Sequence, residues 1–475
     1  MIFGTMQLLR HAGHAWSFSL THTFYHVTVI PMLLVTVVLA WLARPATKDE
    51  LPRTFGRFQT AFLAVWSICV MADWLQGPFV YALYEAYGFN SAEIAQLFVV
   101  GFASSLVFGC FVGALMDRFG RKSCCLAYCV LYILSCMTKH FQNYPLLMFG
   151  RVTGGIATSL LFSCFECWMV SEHTQRHGFP SHLLGYMFGM MFTTMYCVAI
   201  ASGVLGQLAA DQFALTPVSE GSMLHFGGYC TPFDLSIVCL LMGIVLILWL
   251  WEENYGSDGG LDAGGVGERV VSACRLFFRD KRMMLLCIIV ASFEGSMYAF
   301  VFNWTPALTS ELVPPPHGLI FSLFMMACMC GASVSTLLGG MMRPDARLLL
   351  VFAVATAAFG AAASVAGGTA APSFLKTSFA AFLLFEFCVG VYFPSIGVLK
   401  SEIVPESIRG TMYNIYRIPL NGLVVILLLG NFSLSTSFKL CAGLVALSLL
   451  SIAVVSSKIL TPPKQAEVDM IGKTV

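Results

Sequence analysis

The chain has 475 residues, 58% of them hydrophobic and 11% charged, and a net charge of +1. About a quarter of the residues of a soluble domain are charged, so an ordinary soluble protein is excluded, and the absence of a basic excess gives no sign of a nucleic-acid partner. With a mean hydropathy of +0.80, the composition is that of a protein whose helices lie in lipid.

The N-terminal stretch "MIFGTMQLLRHAGHAWSF" has no clean signal-peptide form, and the apolar run after it carries no small-residue cleavage site. A helix that crosses a bilayer needs about 20 apolar residues. Thirteen runs meet this need: 22–43, 58–84, 91–116, 123–141, 145–170, 182–208, 233–251, 282–308, 318–342, 347–368, 374–399, 409–430 and 435–458. The first contains Pro31 and no acidic residue, and reads as a signal anchor or accessory helix. The other twelve are divided by the Gly-rich, then basic and amphipathic segment 252–282. This is the pattern of a two-bundle transporter built from repeats. The expected fold is an all-α membrane protein with two six-helix bundles and one extra N-terminal transmembrane helix. Its parts are an N-terminal segment (1–57), a first bundle (58–251), a linker (252–281), a second bundle (282–458) and a tail (459–475).

Basic residues give an independent reading of orientation. If the loop at 44–57 is cytoplasmic, cytoplasmic segments hold 20 of the 26 Lys and Arg residues, and outer segments hold only Arg10, Lys139, Lys376 and Lys439. That is the bias of the positive-inside rule, and it places the linker and the tail in the cytoplasm, with the plasma membrane as the expected location. The seventeen cysteines are scattered through apolar runs, where a thiol packs as a small hydrophobe. "CFEC" (164–167) has CxxC spacing without a metal-site partner. No metal and no cofactor is expected. His173 and His177 are four residues apart and read as part of a solvated loop. The sequons at Asn303 and Asn431 fall near outer helix ends.

One loop carries a motif. "GALMDRFGRK" (113–122) fits G-x-x-x-D-R-x-G-R-K through Gly113, Asp117, Arg118, Gly120, Arg121 and Lys122. Gly113 is expected to permit close packing, Asp117 to face the positive N-terminus of a neighbouring helix, and the basic residues to hold the turn at the cytoplasmic surface. The counterpart "GGMMRPDAR" (339–347) is a degraded copy. The motif resembles the signature loop between helices 2 and 3 of the major facilitator superfamily. Five further segments, "ADWLQGPFVYALY" (72–84), "LLFSCFECWMVSEHTQRHGFP" (160–180), "EGSMYAFVFNWTP" (294–306), "FLLFEFCVGVYFPS" (382–395) and "YRIPLN" (416–421), narrow this. From about residue 55 to 430 the chain resembles the superfamily's molybdate-anion transporters. The resemblance implies a major facilitator fold that moves molybdate inward, with helices 1, 4, 7 and 10 lining the cavity.

Six ionisable residues lie well inside spans: Asp73, Arg151, Glu166, Glu294, Glu386 and Arg417. Each costs a few kcal/mol at mid-membrane unless paired or wet. In the implied symmetry the first five fall on the cavity helices and Arg417 on helix 11. Estimated depths suggest two ion pairs, Asp73 with Arg151 and Glu386 with Arg417. Glu166 is fifteen residues beyond Arg151, about 22 Å down the same helix, and is expected to meet Arg118 or Arg121 as a gate. Glu294 has no evident basic neighbour, and an unpaired buried carboxylate tends to be protonated, which suits proton coupling as well as a structural role. Molybdate is a doubly charged tetrahedral oxyanion, and arginine suits it because its planar fork bonds two oxygens and stays charged. Arg151 and Arg417 are therefore the expected substrate cations, with Tyr298, Asn414 and Asn421 as polar partners, and Gly154 and Gly155 are expected to allow close helix approach at that level. Asp73, Glu294 and Glu386 serve coupling or ion pairing.

The leading reading is secondary import of molybdate by alternating access, in a monomer that works with the bilayer, the anion and protons. Another anion, such as sulfate or an organic anion, and a non-transporting sensor of the same fold are the alternatives. An enzyme is not expected, since no P-loop, nucleophile elbow or HExxH occurs.

Overall fold

Lipid offers a backbone amide no partner, so apolar spans satisfy their own hydrogen bonds as helices. A computed structural model of the protein describes residues 24–45, 51–255, 274–309, 315–366, 372–405 and 409–457. The first helix, α1 (Phe24–Leu42), precedes α2 (Arg53–Gln76), which continues through a 3-10 turn (Gly77–Phe79) into α3 (Val80–Ala86). Then follow α4 (Ser91–Gly109), α5 (Val112–Phe119), α6 (Arg121–Thr138), α7 (Tyr144–Ser171), α8 (Ser181–Ala210) and α9 (Thr231–Leu250). After a short α10 (274–279) come α11 (Lys281–Leu308), α12 (His317–Leu337), α13 (Pro344–Val365), α14 (Pro372–Ile403), α15 (Arg409–Leu429) and α16 (Leu434–Ser456). Eleven helices among the described residues are long and apolar enough to span a membrane. The expected spans at 123–141 and 409–430 fall on α6 and α15, both helical but outside that set, so the full thirteen-span layout is not reached by length and apolarity alone.

The helices pack in two groups. In the first, α2 lies on α8 and α9, α6 on α7 and α9, and α4 on α7. In the second, α13 packs on α14 and α16, α12 on α14, and α11 on α15 and α16. The groups meet along α8 with α12 and along α4 with α15. A repeated device brings the second and fourth long helices of each group together. A side chain at Gly155 would collide with the carbonyl of Gly101, one at Gly390 with that of Cys328, and one at Gly331 with that of Phe387. Such backbone contact is how small residues join helices in lipid. The expected close approach at Gly154 and Gly155 is present. Gly113 differs, because a Cβ there would meet nothing within 4 Å. Gly113 lies on an exposed face of α5.

The two ends of the molecule are unlike. One carries an antiparallel pair, β1 (Thr216–Pro217) and β2 (His225–Phe226), with Thr216 opposite Phe226, and is here the hairpin end. The other, the basic end, carries Arg118, Arg121, Lys122 and residues 251–255. Towards the hairpin end one apolar core runs across both groups, joining Phe79, Tyr81 and Phe98 to Phe302, Trp304 and Phe324. The basic half of the first group has a separate core around Phe62, Trp66, Phe165, Trp168 and Trp251. The seam between the groups is thus sealed by apolar packing at the hairpin end, while their cores part at the basic end.

Helix α1 lies outside both groups. Tyr25 and Phe24 meet Phe379 edge-on at 4.9 and 5.9 Å, and Thr36 Oγ1 is 3.3 Å from Cys330 Sγ. Pro45, just beyond it, abuts Gly189 of α8. The accessory helix therefore rides on the second group while the chain that follows it touches the first. All seventeen cysteines are free, and most are buried, as packing thiols are.

Candidate functional site

Helix α4 orders the polar side chains of the seam by depth. Arg151, from α7, donates through Nε to the Leu97 carbonyl at 3.0 Å and lies 5.0 Å over the Phe98 ring. A Cβ at position 101 would overlap the guanidinium and displace it. Next along α4, Phe102 packs edge-on against Tyr298 of α11 at 4.9 Å. Lower still, the Ser105 and Ser159 hydroxyls are 3.0 Å apart. At the end of α4, a Cβ built on Gly109 would lie 3.8 Å from Arg417 Nη1 and 3.7 Å from Ser159 Oγ. The two arginines therefore stand by points eight residues apart on one helix, about 12 Å. Between them on α4 lie Phe102, packed on Tyr298, and Ser105, bonded to Ser159.

Their charges are not balanced as expected. Asp73 and Arg151 form no ion pair; Asp73 instead accepts a hydrogen bond from the Tyr132 hydroxyl. Arg151 spends its nearest donor on a backbone carbonyl, which fixes its direction without neutralising it. Glu386 and Arg417 form no pair either. Glu386 is only 6% exposed, lies electrostatically close to Cys328 and Tyr196, and has no cation within ion-pair distance among the described residues. Arg417 is exposed beside Gly109 of α4, again without a described acidic partner. Equal depth in two helices does not make their faces meet, and that is why both expected pairs fail. Glu294 departs in the opposite sense. Lys400 Nζ lies 3.6 Å from its carboxylate and Tyr392 donates to it at 3.0 Å, so it has the basic neighbour that was not anticipated. Lys400 reaches it from the basic end of α14 along its four-carbon stem.

Tyr298 is half-buried within the fields of both Glu294 and Arg417. Asn421 turns its amide back to the Arg417 carbonyl at 2.5 Å, which occupies one of its two N–H donors. The Asn414 and Asp117 side chains lie outside the described residues.

The signature loop is held by the segment after α9. Glu253 accepts from the Lys122 and Ser123 amides at 2.7 and 3.0 Å and from Ser123 Oγ at 2.7 Å, so a carboxylate sits on the positive N-terminus of α6. Lys122 Nζ donates to the Trp251 carbonyl at 2.7 Å, and the Arg121 amide to the Asn254 carbonyl at 2.9 Å. Gly120 has a φ of 89°, the left-handed region where glycine is favoured, and any Cβ there would strike the Glu253 carboxylate. Arg118 lies over the Phe119 ring at 5.2 Å. Glu166 pairs with neither Arg118 nor Arg121. Glu172, on the turn after α7, accepts from Asn254 Nδ2 at 3.0 Å and pairs with Arg176 at 3.5 Å. Arg176 also pairs with Glu252. His173 is buried rather than solvated, bonded through Nε2 to the Pro180 carbonyl at 3.1 Å, because a π-helical turn (Glu172–Arg176) folds it inward. No cluster of three metal-ligating side chains occurs among the described residues.

Sequence reasoning missed Ser105, Ser159, Tyr392, Lys400 and Glu253. For Glu253 a signal was present, since an acidic pair follows the seventh expected span where four basic or polar groups of the signature loop need a partner. Nothing singles out the two serines among the many in the apolar runs.

Comparison with known proteins follows from this geometry. A family model described as sugar transporters with 12 TM matches residues 24–391. A molybdate-anion transporter of Xenopus tropicalis is 34% identical over 446 residues, covering 91% of this chain and 94% of the relative. One of Danio rerio is 32% identical, with 90% and 94% covered. The chain belongs to the molybdate-anion transporter family of the major facilitator superfamily. As a family member it is a multi-pass membrane transporter and not an enzyme. Solved structures agree in fold. A D-xylose-proton symporter superposes with a TM-score of 0.65 at 13% identity, over 87% of this chain and 99% of that one. The inward open conformation of the xylose transporter XylE from E. coli gives 0.63 at 12%, over 86% and 97%.

Proposed function

We propose that this transporter imports molybdate, a tetrahedral oxyanion, by alternating access between its two helix groups. The observation that carries the reading is Arg417, an exposed guanidinium in the seam with no described acidic partner, beside Ser159. An intramembrane cation is costly, and a doubly charged substrate is the partner that removes the cost. Arg151, about 12 Å away along α4, provides a second station, with Tyr298 between them. The names of the relatives support molybdate. The sugar description of the family model fits less well, since a neutral sugar leaves both guanidinium charges uncompensated. Sulfate has the same shape and charge and is the nearest competitor.

The basic end is read as cytoplasmic from the positive-inside bias, in a plasma-membrane protein. Sealed at the hairpin end, the conformation then faces inward. Because Glu294 is paired to Lys400, the acid best suited to carry a coupling proton is the buried Glu386, which lacks a described cation. Binding of molybdate to the purified protein by titration calorimetry tests the reading, with sulfate and xylose as competitors. Saturable binding that sulfate weakens and xylose leaves alone supports it, and saturable xylose binding without molybdate binding refutes it.

A further inference from the structure

A histidine lies within the seal at the hairpin end. His317, the first residue of α12, is 3% exposed and is enclosed by the rings of Tyr229 at 5.7 Å, Trp304 at 5.9 Å and Phe79 at 6.5 Å. Phe79 and Tyr229 belong to the first group, Trp304 and His317 to the second. The enclosure thus exists only while the groups are together at this end. Beside it the seam is tied by the Gly318 amide, which donates to Gln207 Oε1 at 2.8 Å, and by Ser322 Oγ, which donates to the Ile200 carbonyl at 2.7 Å.

The imidazole Nδ1 is buried without a hydrogen-bond partner. The elements packed around it present Phe79 from the 3-10 turn, Gln207 from α8, Tyr229 from the turn before α9 and Trp304 from α11. The one titratable group among these is the Tyr229 phenol. Two acids, Glu85 and Asp211, act on Tyr229, and no described charged side chain acts on the imidazole. An imidazolium here would be a buried charge without a counter-ion, and attraction to the ring faces offsets only part of that cost.

We propose that His317 is the proton-binding residue of the hairpin-end gate, neutral while the gate is closed and protonated once it opens to water. The inference rests on the alternating-access reading. The sign follows from linkage: the open state binds a proton that the closed state excludes, so lowering the pH favours opening. With an ordinary histidine value of about 6.5 in the open state, the open-to-closed ratio rises about tenfold from pH 7.5 to pH 5.5. An anion entering from an acidic medium would find the gate open more often.

The test uses the full chain in lipid nanodiscs, with spectroscopic labels introduced as non-natural residues at Ser219 and Lys376, so that the native cysteines are untouched. Distance distributions are recorded at both pH values, with and without molybdate. The expected result is the tenfold rise in the wild type, its loss in His317→Gln, and its retention in Glu311→Gln, which alters an acid six residues earlier in the sequence, outside the described residues. Exchange of the His317 C2 proton in the unaltered protein, read by mass spectrometry, should titrate over the same pH range and needs no variant. A wild-type ratio that ignores pH, or a full response in His317→Gln, overturns the proposal. Opening that responds to molybdate but not to pH would sink His317 alone, whereas a gate that opens under no condition would sink alternating access as well.

Discussion

Alanine at Gly155 and alanine at Gly185 should act with opposite signs, although both glycines lie within long helices. Each substitution gains up to about 1 kcal/mol of helix propensity. At Gly185 the new methyl group meets nothing within 4 Å, so the whole gain remains. At Gly155 it meets the Gly101 carbonyl, Ser104 Cβ at 2.8 Å and the Ser105 amide at 3.0 Å. Two of these are backbone atoms that cannot rotate aside, so α4 and α7 must separate. Overpacking costs about 1–3 kcal/mol, and losing the Ser105–Ser159 hydrogen bond four residues on adds about 1 kcal/mol. The net expectation is a loss of about 1–3 kcal/mol for Gly155→Ala and a gain of up to about 1 kcal/mol for Gly185→Ala. Unfolding midpoints in mixed detergent micelles at rising SDS fraction measure both. Equal shifts of the same sign would refute the claim that α4 and α7 touch through their backbones.

Three further outcomes can be checked together. Arg417→Lys keeps the charge but loses the planar fork, so molybdate affinity should fall by about 1.5–3 kcal/mol, roughly 10- to 150-fold, while thermal stability holds; calorimetric titration reads both. A double-mutant cycle of Glu294→Gln with Lys400→Met should give a coupling of about 1 kcal/mol in unfolding experiments, and a coupling of zero would return Glu294 to the unpaired state expected from sequence. Glu253→Ala removes a charged acceptor from three donors at the start of α6 and should cost about 1–2 kcal/mol, whereas Glu166→Ala, without a described ion pair, should cost less than half as much.

The helices, the two-group pattern and the motif were legible because lipid imposes length and apolarity on every span and a fixed spacing on the loop. Arg151 and Arg417 were legible as costly charges. Their partners were not. Depth along a helix follows from counting residues, but which faces meet depends on helix rotation and crossing, and so Asp73 turned to Tyr132 rather than to Arg151. Lys400 escaped notice because its position counted as a loop charge, while its stem carries the ammonium well away from its Cα. The ion pair expected at Glu166 with Arg118 or Arg121 is absent; Glu172, six residues on, pairs with Arg176 instead. Gly155 could be read as a packing residue, but its backbone partner could not.

The central claim is that Arg417 meets a transported oxyanion in the seam. It is tested most directly by uptake of radiolabelled molybdate into proteoliposomes that hold the purified protein, comparing wild type with Arg417→Lys and Arg417→Gln. The account predicts saturable uptake by the wild type, a large loss in the lysine variant and none remaining in the glutamine variant. Wild-type rates in the glutamine variant would contradict it.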